Sequence, residues 1–166
     1  KAIIMIINIG ALTTNISIVE DGIPFLNRSI DIGGKAITKS IADSLNISSE
    51  RAEQFKKDMG LRSSDGRVNE IPKTIEGSIT AVINEIKYTI GLYQNQKNQN
   101  IEKIILSGGS AMLNSLPSYL SEVLNIKTFI GDPWARIIYP VEIKPILQEV
   151  GSKMSVAVGL AMRDIV

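Results

Sequence analysis

The sequence predicts an α/β domain, a five-stranded mixed sheet with helices on both faces, and three observations carry that expectation. Three apolar β-type segments open the chain, Asp21-Gly22 between the last two is a strong hairpin signal, and beyond residue 70 helical and strand-like periodicities alternate to the end. Antiparallel strands followed by alternating elements give a mixed sheet rather than a purely parallel one.

Strands are expected near 2–8, 15–20 and 23–31, a three-stranded meander. Between the first two lies a tight turn with one glycine and two threonines, Gly10, Thr13 and Thr14. Glycine lets the backbone approach a ligand, the hydroxyls add donors, and consecutive turn amides form an anion-binding nest; an ordinary β-hairpin is the plain alternative. Gly33-Gly34 ends the meander. Ile37, Ile41 and Leu45 then recur at helical spacing, so 35–46 is an amphipathic helix. Ser48-Ser49-Glu50 starts a second helix to about Met59, which Gly60 ends, and the polar segment 61–70 reads as a surface loop. Together these form a small helical subdomain over approximately 35–70.

From Pro72 to about Gln96 the stripe Ile71, Ile75, Ile79, Val82, Ile83, Ile86, Ile90 and Tyr93 predicts one long helix with a buried face, weakened but not ended by Gly77 and Gly91. The polar run 94–100 is a solvated connector, and Ile101 to Leu106 a buried strand. Ser107-Gly108-Gly109-Ser110 turns from that strand toward a helix over 114–124; such a turn lets backbone approach a ligand, and it also occurs as a plain strand–helix connection. A short strand follows at 126–130. Asp132-Pro133-Trp134 begins an irregular segment that includes Pro140 and Pro145, and Val156 to Ile165 closes the chain as a helix of small residues. Trp134 is read as a cap over the sheet edge, with a partner anchor as the alternative, and Gly159 as a residue that permits close helix packing.

Composition narrows the chemistry. The 166 residues suffice for one compact domain, and 18 basic against 17 acidic residues leave a net charge of +1, so no global field points to nucleic acid or an anionic membrane. Without cysteine or histidine there is no disulfide, no thiolate metal site and no Ser-His or Cys-His pair. Carboxylates, lysines, hydroxyls and backbone amides remain. The apolar run Ala2 to Ile7 is too short to insert into a membrane, and the chain reads as cytoplasmic. It opens abruptly within a strand at Lys1, and it is expected to be the carboxyl-terminal part of a longer protein.

This order of elements is the plan of a ribonuclease-H-like half-domain, which serves nucleases and ATPases alike. A nuclease needs carboxylates converging on metal, one of them on the first strand; here that strand carries Asn8, Asn15 follows the turn, and Asp31 lies at the far end of the third strand. The ATPase reading fares better. Asn8-Ile9-Gly10-Ala11-Leu12-Thr13-Thr14 resembles the second phosphate motif of actin-like ATPases. Ala52-Glu53-Gln54-Phe55-Lys56-Lys57-Asp58-Met59-Gly60 resembles their adenine- and ribose-facing helix, and Ile104 to Ala111 their adenosine motif.

Within that superfamily the chain resembles the PilM family of type IV pilus assembly ATPases, relatives of FtsA. Ile23-Pro24-Phe25, Arg28 to Gly34, Ala36 to Ile41, Ile86-Lys87, Tyr93, Asp132-Pro133-Trp134 and Val158 to Arg163 carry the resemblance, and it implies the second domain only. Its implications are ATP or ADP with Mg²⁺ as cofactor, weak ATPase at most, and none in this chain alone. Gly10, Ala11, Leu12, Thr13 and Thr14 would border the phosphates, Glu53 and Lys56 the ribose and adenine edge, Gly108, Gly109 and Ser110 the nucleoside, with Gly34 at the base of the cleft. Asn8 stands where the family has an aspartate that holds the Mg²⁺ hydration shell. A bland reading of Glu53 and Lys56 is an exposed ion pair three residues apart. The implied partner is an inner-membrane protein of the PilN type, docking mainly on the other domain. A nucleotide-free interaction module of the same fold is the alternative, and a small-molecule kinase would need a base from outside this chain.

Overall fold

The computed structural model describes residues 2–59 and 73–163, apart from the side chain of Met59; the expected loop 61–70, Gly60, Ile71 and Pro72, and the tail 164–166 lie outside them. Five strands form one sheet in the order β3-β2-β1-β4-β5. They are β1 Ile3–Ile9, β2 Thr14–Glu20, β3 Ile23–Ile30, β4 Lys103–Ser107 and β5 Thr128–Ile130. The first three pair antiparallel, whereas β4 runs parallel to β1 and β5 to β4.

The hairpin between β2 and β3 turns on Asp21 and Gly22 with φ of 49° and 87°, the left-handed pair that a two-residue hairpin demands. Register slips between Ile18 and Val19, so Phe25 stands extra opposite β2 and Pro24 occupies an edge strand, where its missing donor costs no ladder bond.

Alternation along β1 decides what each face covers. Ile3, Met5, Ile7 and Ile9 are buried in the main core, with Ile16 and Ile18 of β2 and Ile104 and Leu106 of β4. Three helices cover this face: α1 Gly34–Leu45, the long α3 Lys73–Lys97 and α4 Leu116–Leu124, while α2 Ser49–Met59 packs on α1. The stripe from Ile75 to Tyr93 is buried as its spacing requires, except that Ile90 is only partly so. Gly77 and Gly91 face open space within an unbroken helix.

The last helix, α5, spans Lys144–Ala161 and crosses the opposite face of the sheet. It begins a dozen residues before the expected Val156, because Pro145 sits in its first turn, where the absent N–H is an orphan in any case. The glycine that brings α5 close to a neighbour is Gly151: a Cβ there would lie 3.0 Å from Trp134 Nε1, whereas Gly159 faces open space, contrary to expectation. Trp134 lies under α5 and donates from Nε1 to Leu147 O at 2.7 Å; it is held by this helix rather than capping the sheet edge.

Candidate functional site

The turn between β1 and β2 divides its polar groups. Gly10 N donates to Thr13 O at 2.9 Å, while the Gly10 and Ala11 carbonyls accept the amides of Gly34 and Lys35 at 2.9 and 2.8 Å. Those two bonds satisfy the first amides of α1, which has no side-chain cap at Gly33. Gly33 allows the contact, since a Cβ on it would lie 2.7 Å from Gly10 O. The start of α1 is therefore closed to an anion. What stays open is the run of amides of Ala11, Leu12 and Thr13, which make no hydrogen bond among the described residues. Thr14 is fully buried and its hydroxyl donates to Ile32 O at 2.7 Å, so this hydroxyl holds the fold rather than facing outward as expected.

A second group joins α1 to α2. Lys56 is 6% exposed, and its ammonium donates to Glu53 Oε2 at 2.6 Å, Thr38 Oγ1 at 2.9 Å and Gly34 O at 3.2 Å. All three protons are thereby committed within the protein, which rules out the bland exposed pair and leaves Lys56 no free donor. Glu53 is partly exposed and accepts the Thr38 hydroxyl at 2.5 Å on the same oxygen. Burial opposes its ionisation, but the hydrogen bonds from Lys56 and Thr38, with the charges of Lys56 and Lys57, outweigh that and hold its carboxyl below the ordinary value. The outcome is a preorganised carboxylate at a cavity wall. Thr38 escaped the sequence reading; a polar residue beside Ile37 on the buried side of an amphipathic helix was the available signal.

The third group is the turn after β4, where a short 3₁₀ helix spans Gly109–Met112. Gly108 has φ of 88°, and a Cβ there would lie 2.4 Å from both Asn8 Oδ1 and Ile9 O. Ser110 is buried, close enough to α1 that a Cβ on Gly34 would meet its Oγ at 2.4 Å.

These groups border one cavity of about 1120 Å³, lined by Gly10, Ala11, Gly34, Glu53, Lys56, Gly109 and Ser110 among the expected residues, and by Thr38. Such a volume slightly exceeds the usual span of small-molecule sites, which run to about 1,000 Å³. Lysines 35, 39, 57 and 153 line it too, interspersed with the carboxylates of Asp43, Glu50 and Glu149, so its charge is mixed. Leu12, Thr13, Thr14 and Gly108 are not among its lining residues, and Asn8 belongs to a separate apolar groove between the sheet and α5. Among the described residues no group of three or more Asp or Glu side chains could hold a metal ion. Among them, too, no helix is long and apolar enough to cross a membrane.

A 3-2-1-4-5 mixed sheet with a helical pair inserted after its third strand, and a cavity walled by two glycine turns and that pair, defines the fold of the actin-like ATPases. The chain belongs to the family described as Type IV pilus assembly protein PilM, whose model matches residues 1–165. A solved PilM-PilN type IV pilus biogenesis complex contains a chain that is 26% identical, with a TM-score of 0.83, over 99% of this chain and 46% of that one. MreB 5 of Spiroplasma citri bound to AMPPNP shares the fold at 18% identity and a TM-score of 0.65, over 97% of this chain and 52% of its own. Cell division protein FtsA of Neisseria meningitidis serogroup B is 26% identical over 151 residues, which are 78% of this chain and 36% of that protein. The chain thus spans about half the length of these relatives, or less.

Proposed function

We propose that this chain is the nucleotide-binding second domain of a cytoplasmic actin-like scaffold of type IV pilus assembly, in which ATP or ADP tunes contacts with inner-membrane proteins of the PilN type. One observation carries the reading: three segments far apart in sequence, at Gly10-Ala11, Gly34 to Lys56 and Gly109-Ser110, meet on one cavity. The open amide of Ala11 on the cavity wall, with those of Leu12 and Thr13 next to it in the turn, offers donors to phosphate without histidine. Glu53, held by Lys56 and Thr38, offers an acceptor to ribose hydroxyls, and Gly109-Ser110 forms a wall for the nucleoside. The AMPPNP of the MreB relative and the PilN of the PilM complex belong to those proteins, and they support the reading through fold and family. Any Mg²⁺ arrives on the nucleotide's phosphates and water; Asn8 supplies no charge to it. The chain alone is expected to release no phosphate, and a PilN-type peptide to dock elsewhere.

Calorimetry of Mg-ATP with the full-length gene product tests this. Saturable heat is expected, and Glu53→Gln weakens binding by about tenfold, the worth of one hydrogen bond to a charged group. Absence of heat and of any melting shift refutes it. That outcome favours the second reading, a nucleotide-free interaction module, which Asn8 and the 64% exposed Leu12 on the phosphate-facing turn motivate.

A further inference from the structure

We infer that Ser152 of α5 is a positioning residue of the nucleoside wall, clamping the Gly108–Ser110 turn so that a ligand seated on that wall is also held by α5. The inference rests on the nucleotide reading above. Ser152 is 3% exposed, its Oγ donates to Gly108 O at 3.0 Å, and its own carbonyl accepts Gly108 N at 2.8 Å. Both backbone polar groups of Gly108 thus bond one residue 44 positions away, its carbonyl also accepting Ala111 N at 3.2 Å. Serine inside a helix usually returns its hydroxyl to its own preceding turn; this one reaches another element instead.

Gly108 is pressed against Asn8 and Ile9 on its other side, leaving no room for even a Cβ. The helix is fixed as well, because Trp134 lies against Gly151 and donates to Leu147 O. On either side of Ser152, Glu149 and Lys153 line the same cavity, and Lys153 Cγ lies 3.8 Å from where a Gly109 Cβ would be. The turn is therefore gripped between β1 and α5. The phosphate-facing turn, by contrast, is tied to α1 and, among the described residues, has no hydrogen bond to α5. Loosening Ser152 should disturb the nucleoside end of the site and spare the phosphate end.

The experiment uses the full-length gene product with AMP and inorganic tripolyphosphate as separate probes. Ser152→Ala is expected to weaken AMP by about fivefold, the range of one lost hydrogen bond, while tripolyphosphate stays within about twofold. Leu160→Ala, which trims a side chain 66% exposed near the end of α5, leaves both unchanged. Unaltered AMP affinity in Ser152→Ala, equal weakening of both probes, or the same loss in Leu160→Ala overturns the inference. A ligand-free arm separates it from the nucleotide reading: in Ser152→Ala, amide exchange of residues 108–112 and of α5 quickens together by about fivefold while α3 is unaffected. If exchange in those two segments does not rise together, the clamp is refuted; if the wild type binds neither probe, the nucleotide reading fails.

Discussion

Two glycine turns border the same cavity and are built in opposite ways. At Gly10 the turn yields its carbonyls to α1 and leaves three consecutive amides open, and a Cβ on Gly10 would meet only Thr13 O, at 3.2 Å. At Gly108 the backbone is left-handed, both polar groups are bonded to Ser152, and a Cβ would strike Asn8 and Ile9 at 2.4 Å. The first glycine makes a backbone available; the second exists because there is no room. A site assembled from both has a rigid wall facing an open donor strip.

The sharpest way to break that contrast is to substitute both glycines. Gly108→Ala is expected to destabilise by about 3 kcal/mol or more, from backbone strain and overpacking together, and Gly10→Ala by less than about 1 kcal/mol. Urea unfolding reads both, and equal losses would dissolve the distinction. Next in size, Lys56→Met strips three bonds from Glu53, Thr38 and Gly34 and should cost about 1–3 kcal/mol in the same assay.

Thr14→Val removes the hydroxyl given to Ile32 O and should cost about 1 kcal/mol. Mg-ATP affinity should stay within about twofold, and a tenfold loss would return that hydroxyl to the phosphate. The smallest effect is acid dependence through Glu53. Its folded-state carboxyl titrates below the ordinary 4.5, so its stabilisation is present above that pH and fades as pH falls through the folded value. Unfolding midpoints between pH 5 and 3 should decline less steeply in Glu53→Gln than in the wild type.

The frame of the molecule was legible because its signals are local. Asp21-Gly22 can hardly be anything but a hairpin, and the isoleucine stripe of α3 repeats too regularly for a loop. The start of α5 was hidden because Pro140 and Pro145 read as breakers, although a proline in the first turn favours a helix. The same reasoning governs the site. Gly10 and Gly109 stand out as residues of glycine turns, and Gly34 and Glu53 enter only through the family resemblance, whereas the burial of Lys56, the pairing of Thr38 and the reach of Ser152 depend on which elements meet in three dimensions. Thr14 shows the reverse error: a hydroxyl in a suggestive motif can be claimed by the nearest carbonyl.

Amide hydrogen exchange of the full-length gene product, with and without saturating Mg-ATP, tests most directly whether the three segments act as one nucleotide site. The account predicts slowed exchange at Ala11–Thr13, in α2 around Glu53 and at Gly109–Ser110 together, all three appearing with the same nucleotide concentration dependence. Protection confined to other parts of the protein, or none in these three segments at saturation, would contradict it.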